Sequence, residues 1–220
     1  MTHLFTFETD RFSTYALTYQ DEKKATANDK PQVYNDFHHL RLTAKAAETS
    51  QTLSFTKVSG ADGYLIYGAS YGEKNKLKKL GEVSDTVLTF THKKLKKASY
   101  YKYQVKAYQI VDGKKVILAT SKEIYSVTKG KTYANPTKVT SEVSSVSIAV
   151  GKTTSVTCKA VLPKNTKMKK YAAAIRYETS NKNIATVDKS GKIKAQSKGV
   201  CYIYAYAQNG VYKKIKVTVK

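Results

Sequence analysis

Residues Gly199 to Val219 constrain the fold more than any other part of the chain. They read Gly-Val-Cys-Tyr-Ile-Tyr-Ala-Tyr-Ala-Gln-Asn-Gly-Val-Tyr-Lys-Lys-Ile-Lys-Val-Thr-Val. Cys201, Ile203 and Ala205 alternate with Tyr202, Tyr204 and Tyr206. A period of two sends the first set to one face of a strand and the second to the other. Asn209-Gly210 supplies the positive φ angles of a tight two-residue turn, the strongest short-range hairpin signal. The expectation is two antiparallel strands, apolar inward and tyrosine-bearing outward.

Composition extends this to the whole chain. Its 220 residues include 18 Tyr, no Trp and 3 Pro, and frequent Tyr, Val and Thr favour strands. No apolar run is long enough to span a bilayer. The opening Met1-Thr-His-Leu-Phe-Thr-Phe-Glu lacks the basic and apolar regions of a secretion signal, so a secreted parent implies a longer precursor. Net charge is +23 and uneven. Residues 130–220 hold 18 basic and 3 acidic side chains, a net +15. Arg11, Arg41 and Arg176 are the only arginines. Lysine is a hydrated point charge and lacks the guanidinium fork that reads bases. Lys-rich strands therefore point to edge protection and loose polyanion contact, and away from nucleic acid.

Three segments follow. Residues 1–36 read as a short β-hairpin, Leu4-Phe-Thr-Phe-Glu8 and Tyr15-Ala-Leu-Thr-Tyr19, and then a polar connector. The run Thr6 to Leu17 looks like the closing strands of repeats in secreted proteins of Gram-positive gut bacteria. Residues 37–129 show strands at sandwich spacing: Leu53–Val58, Tyr64–Tyr67, Thr86–Phe90, Tyr100–Tyr108, the Asp112-Gly113 turn and Val116–Ala119. Leu53, Phe55, Val58, Gly60, Ala61, Asp62, Gly63, Tyr64, Ile66 and Tyr67, with Leu95, Tyr101, Tyr103, Val105 and Ala107, resemble a fibronectin type III domain. Phe55 stands where that family has its core Trp. The resemblance implies that Tyr101 is the corner tyrosine, its hydroxyl tying a loop.

In residues 130–220, Ser180-Asn-Lys-Asn-Ile-Ala-Thr-Val-Asp-Lys-Ser-Gly-Lys-Ile-Lys-Ala195 and the hairpin resemble the group 2 bacterial immunoglobulin-like domain. That family is all-β, extracellular and non-enzymatic. Lys164 to Ala174 is a Lys- and Ala-rich insertion, open between a loop and one helical turn. Ile175, Ile203 and Val217 are expected in this core, and Phe55, Tyr64 and Tyr103 in the preceding one.

Little in the chain suggests chemistry. Nucleophilic catalysis needs a base beside its nucleophile. The histidines, His3, His38, His39 and His92, all precede Cys158 and Cys201, and no G-x-S-x-G occurs. Adjacent His38 and His39 point to opposite sides of a strand, a poor chelate. No metal and no cofactor are expected. Glu142, Glu178 and Asp188 suit surface or turn positions. Cys158 and Cys201 have two readings: the inter-sheet disulfide of immunoglobulin domains, or two buried thiols. Tyr202, Tyr204 and Tyr206 also have two: a glycan-stacking face, or packing under lysine stems. Lys167, Lys169, Lys170, Lys213, Lys214 and Lys216 are either a polyanion contact or a solvated surface.

The sequence thus predicts an all-β chain: two tandem immunoglobulin-like sandwiches after a short hairpin. The expected role is a monomeric, extracellular spacer or adhesion module at the C-terminal end of a bacterial surface or secreted protein. It would have no membrane span and no nucleic-acid partner, and cell-wall polyanions, surface glycans or proteins as partners. The alternative is an accessory carbohydrate-binding segment of a secreted polysaccharide-degrading enzyme.

Overall fold

The computed structural model describes residues 32–72, 74–130, 132–169 and 171–220, all within the compact unit Pro31–Lys220. The hairpin expected in residues 1–20, and most of the connector after it, lie outside the described residues.

The described residues form strands and loops without helix. The first eight strands are β1 (Leu42–Ala46), β2 (Gln51–Phe55), β3 (Gly63–Ser70), β4 (Lys78–Ser84), β5 (Thr89–His92), β6 (Tyr100–Val111), β7 (Lys114–Thr120) and β8 (Ile124–Val127). They make two facing sheets, β1-β2-β5 and β4-β3-β6-β7, with β8 also on β6. Alternation decides what lies between them. Leu42, Leu53 and Phe55 from one sheet meet Tyr64, Ile66, Tyr103 and Val105 from the other. Tyr64 and Tyr103 are fully buried and Phe55 nearly so, as expected. Both tyrosines find partners for their hydroxyls, which burial requires. The Val58 N–H donates to the Tyr64 hydroxyl at 2.9 Å, and Tyr103 pairs with His92 Nδ1 at 3.2 Å. Tyr101 ties a loop, its hydroxyl accepting the Lys96 N–H at 2.9 Å.

Nine further strands are β9 (Lys138–Ser141), β10 (Ser145–Ile148), β11 (Thr153–Ser155), β12 (Cys158–Val161), β13 (Arg176–Thr179), β14 (Ala185–Val187), β15 (Lys192–Ala195), β16 (Gly199–Tyr206) and β17 (Tyr212–Val219). The sheet β10-β17-β16-β13 packs against the ladders β11-β15-β14 and β12-β9. β10 runs parallel to β17, which locks the start of this sandwich to its end. Ile203 and Val217 are fully buried in a second core with Ile193 and Ile215, whereas Ile175 is only half-buried at its edge. The described residues of the Lys164–Ala174 insertion form a loop, tied to the preceding chain by a bridge between Tyr133 and Lys167.

The hairpin turn departs from expectation. β16 and β17 close at the pair Tyr206 and Tyr212. The Gly210 N–H donates to the Ala207 carbonyl, and the Ala207 N–H to the Val211 carbonyl, both at 2.9 Å. Gly210 has φ +86° and Asn209 has no positive φ. This is a three-residue loop with a left-handed glycine, not a two-residue turn. Asp112-Gly113 between β6 and β7 does make the two-residue turn, with φ +50° and +73°.

Asn209 is recruited elsewhere. Its carbonyl accepts the Ala44 N–H at 3.0 Å, its Nδ2 donates to the Pro136 carbonyl at 3.0 Å, and the Gln208 carbonyl accepts the Tyr125 N–H at 2.8 Å. The tip of the second sandwich is thus plugged into β1 and β8 of the first.

Candidate functional site

Residues 34–41 join both sandwiches and decide the fate of the tyrosine face. The Tyr34 N–H donates to the Leu118 carbonyl at 2.7 Å, and the Thr120 N–H to the Tyr34 carbonyl at 2.8 Å. Three residues on, the Phe37 ring stacks on Tyr206 at 4.0 Å and 8°, and lies 5.9 Å from Tyr204. The Arg41 guanidinium sits over Tyr204 at 5.3 Å. Tyr204 and Tyr206 are therefore 3% and 2% exposed. They point away from the second core as the alternation predicts, yet they are not a free glycan-stacking face. The first sandwich covers them, because an apolar ring face left in water gains from any apolar surface brought against it. Tyr202 is half-buried under the Lys214 ammonium, 3.7 Å from its ring.

Glu178, expected at an ordinary surface position, is the polar centre of this joint. Its Oε1 accepts the Tyr206 hydroxyl at 2.7 Å and faces Lys122 Nζ at 3.3 Å; its Oε2 accepts the Phe37 N–H at 2.7 Å. Burial pushes the Tyr206 hydroxyl up, with the Glu178 charge adding to it. On the other side Arg176 donates to the Glu123 carbonyl at 3.0 Å and covers Tyr206 at 4.6 Å. Asn135, between the sandwiches, accepts the Val127 N–H at 2.9 Å and donates to its carbonyl at 2.8 Å.

Cys158 and Cys201 are free thiols, both buried, so the disulfide reading is not what the structure has. Each has a local polar neighbour instead. The Cys158 N–H donates to the Tyr177 hydroxyl at 3.2 Å, and the Thr179 hydroxyl donates to Cys201 Sγ at 3.9 Å. Burial pushes the Cys201 thiol up.

The lysines divide. Lys167, Lys169, Lys214 and Lys216 are exposed, Lys213 is half-buried, and Lys170 lies outside the described residues. Lys78 and Lys79 lie on β4, an edge strand, where charge blocks pairing with other chains. Among the described residues no three or more His, Cys, Asp or Glu are placed to hold a metal. His39 is held by Asp36 through Nδ1 at 3.1 Å and stacks on Tyr34 at 3.7 Å. No helix of the described residues is long and apolar enough to cross a membrane.

A second meeting of the sandwiches was not legible in the sequence. Tyr71 and Tyr100 from the first, and Tyr171 from the insertion of the second, gather in one cluster. Tyr71 and Tyr171 have centroids 3.5 Å apart, and Tyr100 meets Tyr171 edge-on at 4.6 Å. The Lys169 N–H donates to the Tyr100 hydroxyl at 3.1 Å. The three tyrosines line an open cleft of about 640 Å³, together with Lys94, Lys96 and Lys169. No motif spacing signals it, since its residues come from strand ends and two loops.

A search of the curated proteins finds no match. Among solved structures the chain is similar to the fibronectin type III domain of human fibronectin type III domain containing protein 3. Identity there is 20%, over 47% of this chain and 91% of that one, with TM-score 0.35. It is similar also to the FN5 domain of Drosophila Lar, with 23% identity over 46% and 98% and TM-score 0.33. A third likeness is to pectate lyase PelI from Erwinia chrysanthemi in complex with tetragalacturonic acid. It has 12% identity over 51% and 32%, and TM-score 0.31. Residues 133–219, which carry the Ser180–Ala195 motif and the β16–β17 hairpin, match the family model of the bacterial Ig-like domain (group 2).

Proposed function

We propose that this chain is a stiff, non-enzymatic spacer of a bacterial extracellular protein, retained weakly on anionic cell-wall polymers by its lysines. The domain type of residues 133–219 is one typical of extracellular proteins. The observation that carries the reading is the joint. Sandwiches on a plain linker move independently by default. Here the loop tip at Asn209, the Phe37–Tyr206 stack and the Glu178 cluster pin the two together from separate directions. A tether that must project a neighbouring domain from a surface needs that stiffness. We place the two modules at 37–129 and 130–220, meeting as one body.

The test is backbone ¹⁵N relaxation of the whole chain. Both sandwiches should report one shared rotational correlation time, and Phe37→Ala should split it by loosening the joint. Two separate correlation times in the unmodified protein would sink the spacer reading. The second reading, an accessory carbohydrate-binding segment of a polysaccharide-degrading enzyme, is favoured by the open tyrosine cleft.

A further inference from the structure

We infer that the cleft between the two sandwiches binds an acidic glycan, a chain of pyranose rings bearing carboxylates. It deepens the carbohydrate-binding reading and rests on the same joint as the spacer reading.

The walls of the cleft match both parts of such a ligand. Sugar rings present C–H faces, which pack on aromatic faces. Tyr71 and Tyr171 line the cleft and are half-buried. Their rings pack on each other at 3.5 Å, so the faces turned away from that contact are the ones a sugar ring would meet. Tyr100, at 8% exposure, backs Tyr171 edge-on. Sugar hydroxyls need partners, and Ser70 and Ser99 lie on the lining. Carboxylates need cations. Lys94, Lys96 and Lys169 line the opening and are exposed, and no acidic side chain is among the described lining residues. Lys97, on the same loop, is already engaged by Glu48 at 2.9 Å. The surrounding chain, at +23, raises the local concentration of any polyanion.

The cleft is also built rather than incidental. Its wall from Lys94 to Ser99 is fixed by Thr128, whose hydroxyl donates to the Lys96 carbonyl at 2.6 Å and accepts the Ser99 N–H at 2.9 Å. The Ala98 N–H donates to the Lys129 carbonyl at 3.2 Å. Lys94 and Ala98 both hold left-handed backbone, φ +59° and +52°. Non-glycine residues persist there only when their surroundings enforce it, and such residues cluster at binding sites. Tyr171 supplies a wall from the second sandwich, so the site exists only while the joint holds.

The experiment is calorimetric titration of the full chain at low salt with three probes. These are a hyaluronan octasaccharide, neutral cello-octaose, and a polyphosphate of matched charge. Hyaluronan should bind, and the other two should bind at least roughly tenfold more weakly. Tyr171→Ala leaves net charge unchanged and should weaken hyaluronan about tenfold, whereas Tyr171→Phe should keep it within about twofold. Lys94→Ala with Lys96→Ala should also lose about tenfold, while Lys214→Ala with Lys216→Ala, equal in charge and outside the cleft, should lose less than about twofold. The inference is overturned if hyaluronan does not bind or if either control probe binds as well. Equal losses from the two lysine pairs overturn it too. Relaxation measured on each variant separates the readings. Loss of hyaluronan binding with a single correlation time indicts the cleft alone, and two correlation times indict the joint.

Discussion

Gly210 stands at φ +86°, and a methyl group on it would collide with the Leu42 carbonyl oxygen of β1. Two separable demands meet there: left-handed backbone, and close approach of the loop tip to the first sandwich. Gly113 shares only the first, with φ +73° and nothing within 4 Å. Gly113→Ala is expected to destabilise by about 1–2 kcal/mol, the left-handed penalty of a side chain. Gly210→Ala should cost about 3 kcal/mol, the same penalty with overpacking added. Urea midpoints at unchanged slope give both values, and equal losses would mean that the docked tip contributes nothing. The thiols make a second test at this scale. Cys201 is 1% exposed and Cys158 is 9% exposed. In the unreduced protein, iodoacetamide should leave both unmodified under native conditions and alkylate both in denaturant. Mass spectrometry reads the difference, and a cysteine pair that resists alkylation when unfolded would restore the disulfide.

Strand β4 shows how a sheet is stitched by one carboxylate, and why some elements escape a reading by pattern. Glu82 on β4 accepts from Lys115 on β7, from Lys79, and from the Tyr108 hydroxyl on β6 at 2.7 Å. β3 lies between β4 and β6, so the tyrosine must cross it. It crosses over Gly63, where a Cβ would come 2.5 Å from the Tyr108 hydroxyl. The Lys115 ammonium first, then Lys79 and Tyr108, holds the Glu82 carboxyl down to about 2 from its ordinary 4.5. A depressed carboxylate contributes stability above its unfolded value and loses it as pH falls through the folded one. The unmodified chain should therefore lose stability between about pH 4.5 and 2 more steeply than Glu82→Gln, as measured by urea titration at each pH. Parallel curves would refute this role. β2, β3, β6, β16 and β17 were legible in the sequence because in each of them apolar or aromatic residues recur at every second position and face a sandwich core. β4 reads Lys-Lys-Leu-Gly-Glu-Val-Ser and is exposed along most of its length, so no alternation marks it. The tyrosines of β16 were legible in direction but not in fate. Their cover comes from Phe37, a residue 141 positions from its hydrogen-bond partner Glu178, and no local period carries that information.

At the scale of the whole molecule, charge and stiffness act together. Residues 130–220 carry a net +15, and the first sandwich adds to the same sign. Its lysines are spread over edges, loops and strand faces, so outside the cleft they make a field and not a shaped pocket. Such a field is screened beyond about 8 Å at physiological ionic strength. Because Lys122 and Arg176 are already committed to the joint, through Glu178 and the Glu123 carbonyl, the cations left for a partner are the exposed ones. An anionic wall should then capture the chain at low salt and release it as salt rises. Pull-down by purified Gram-positive walls should fall at least about tenfold between 50 and 300 mM salt, since several ionic contacts are replaced by counterions. Walls stripped of their anionic polymers should retain little at any salt. Retention that is indifferent to salt, or equal on stripped walls, would reject the electrostatic part of the proposed function. It would leave the stiff joint, tested separately by tumbling, as the property on which the spacer reading stands.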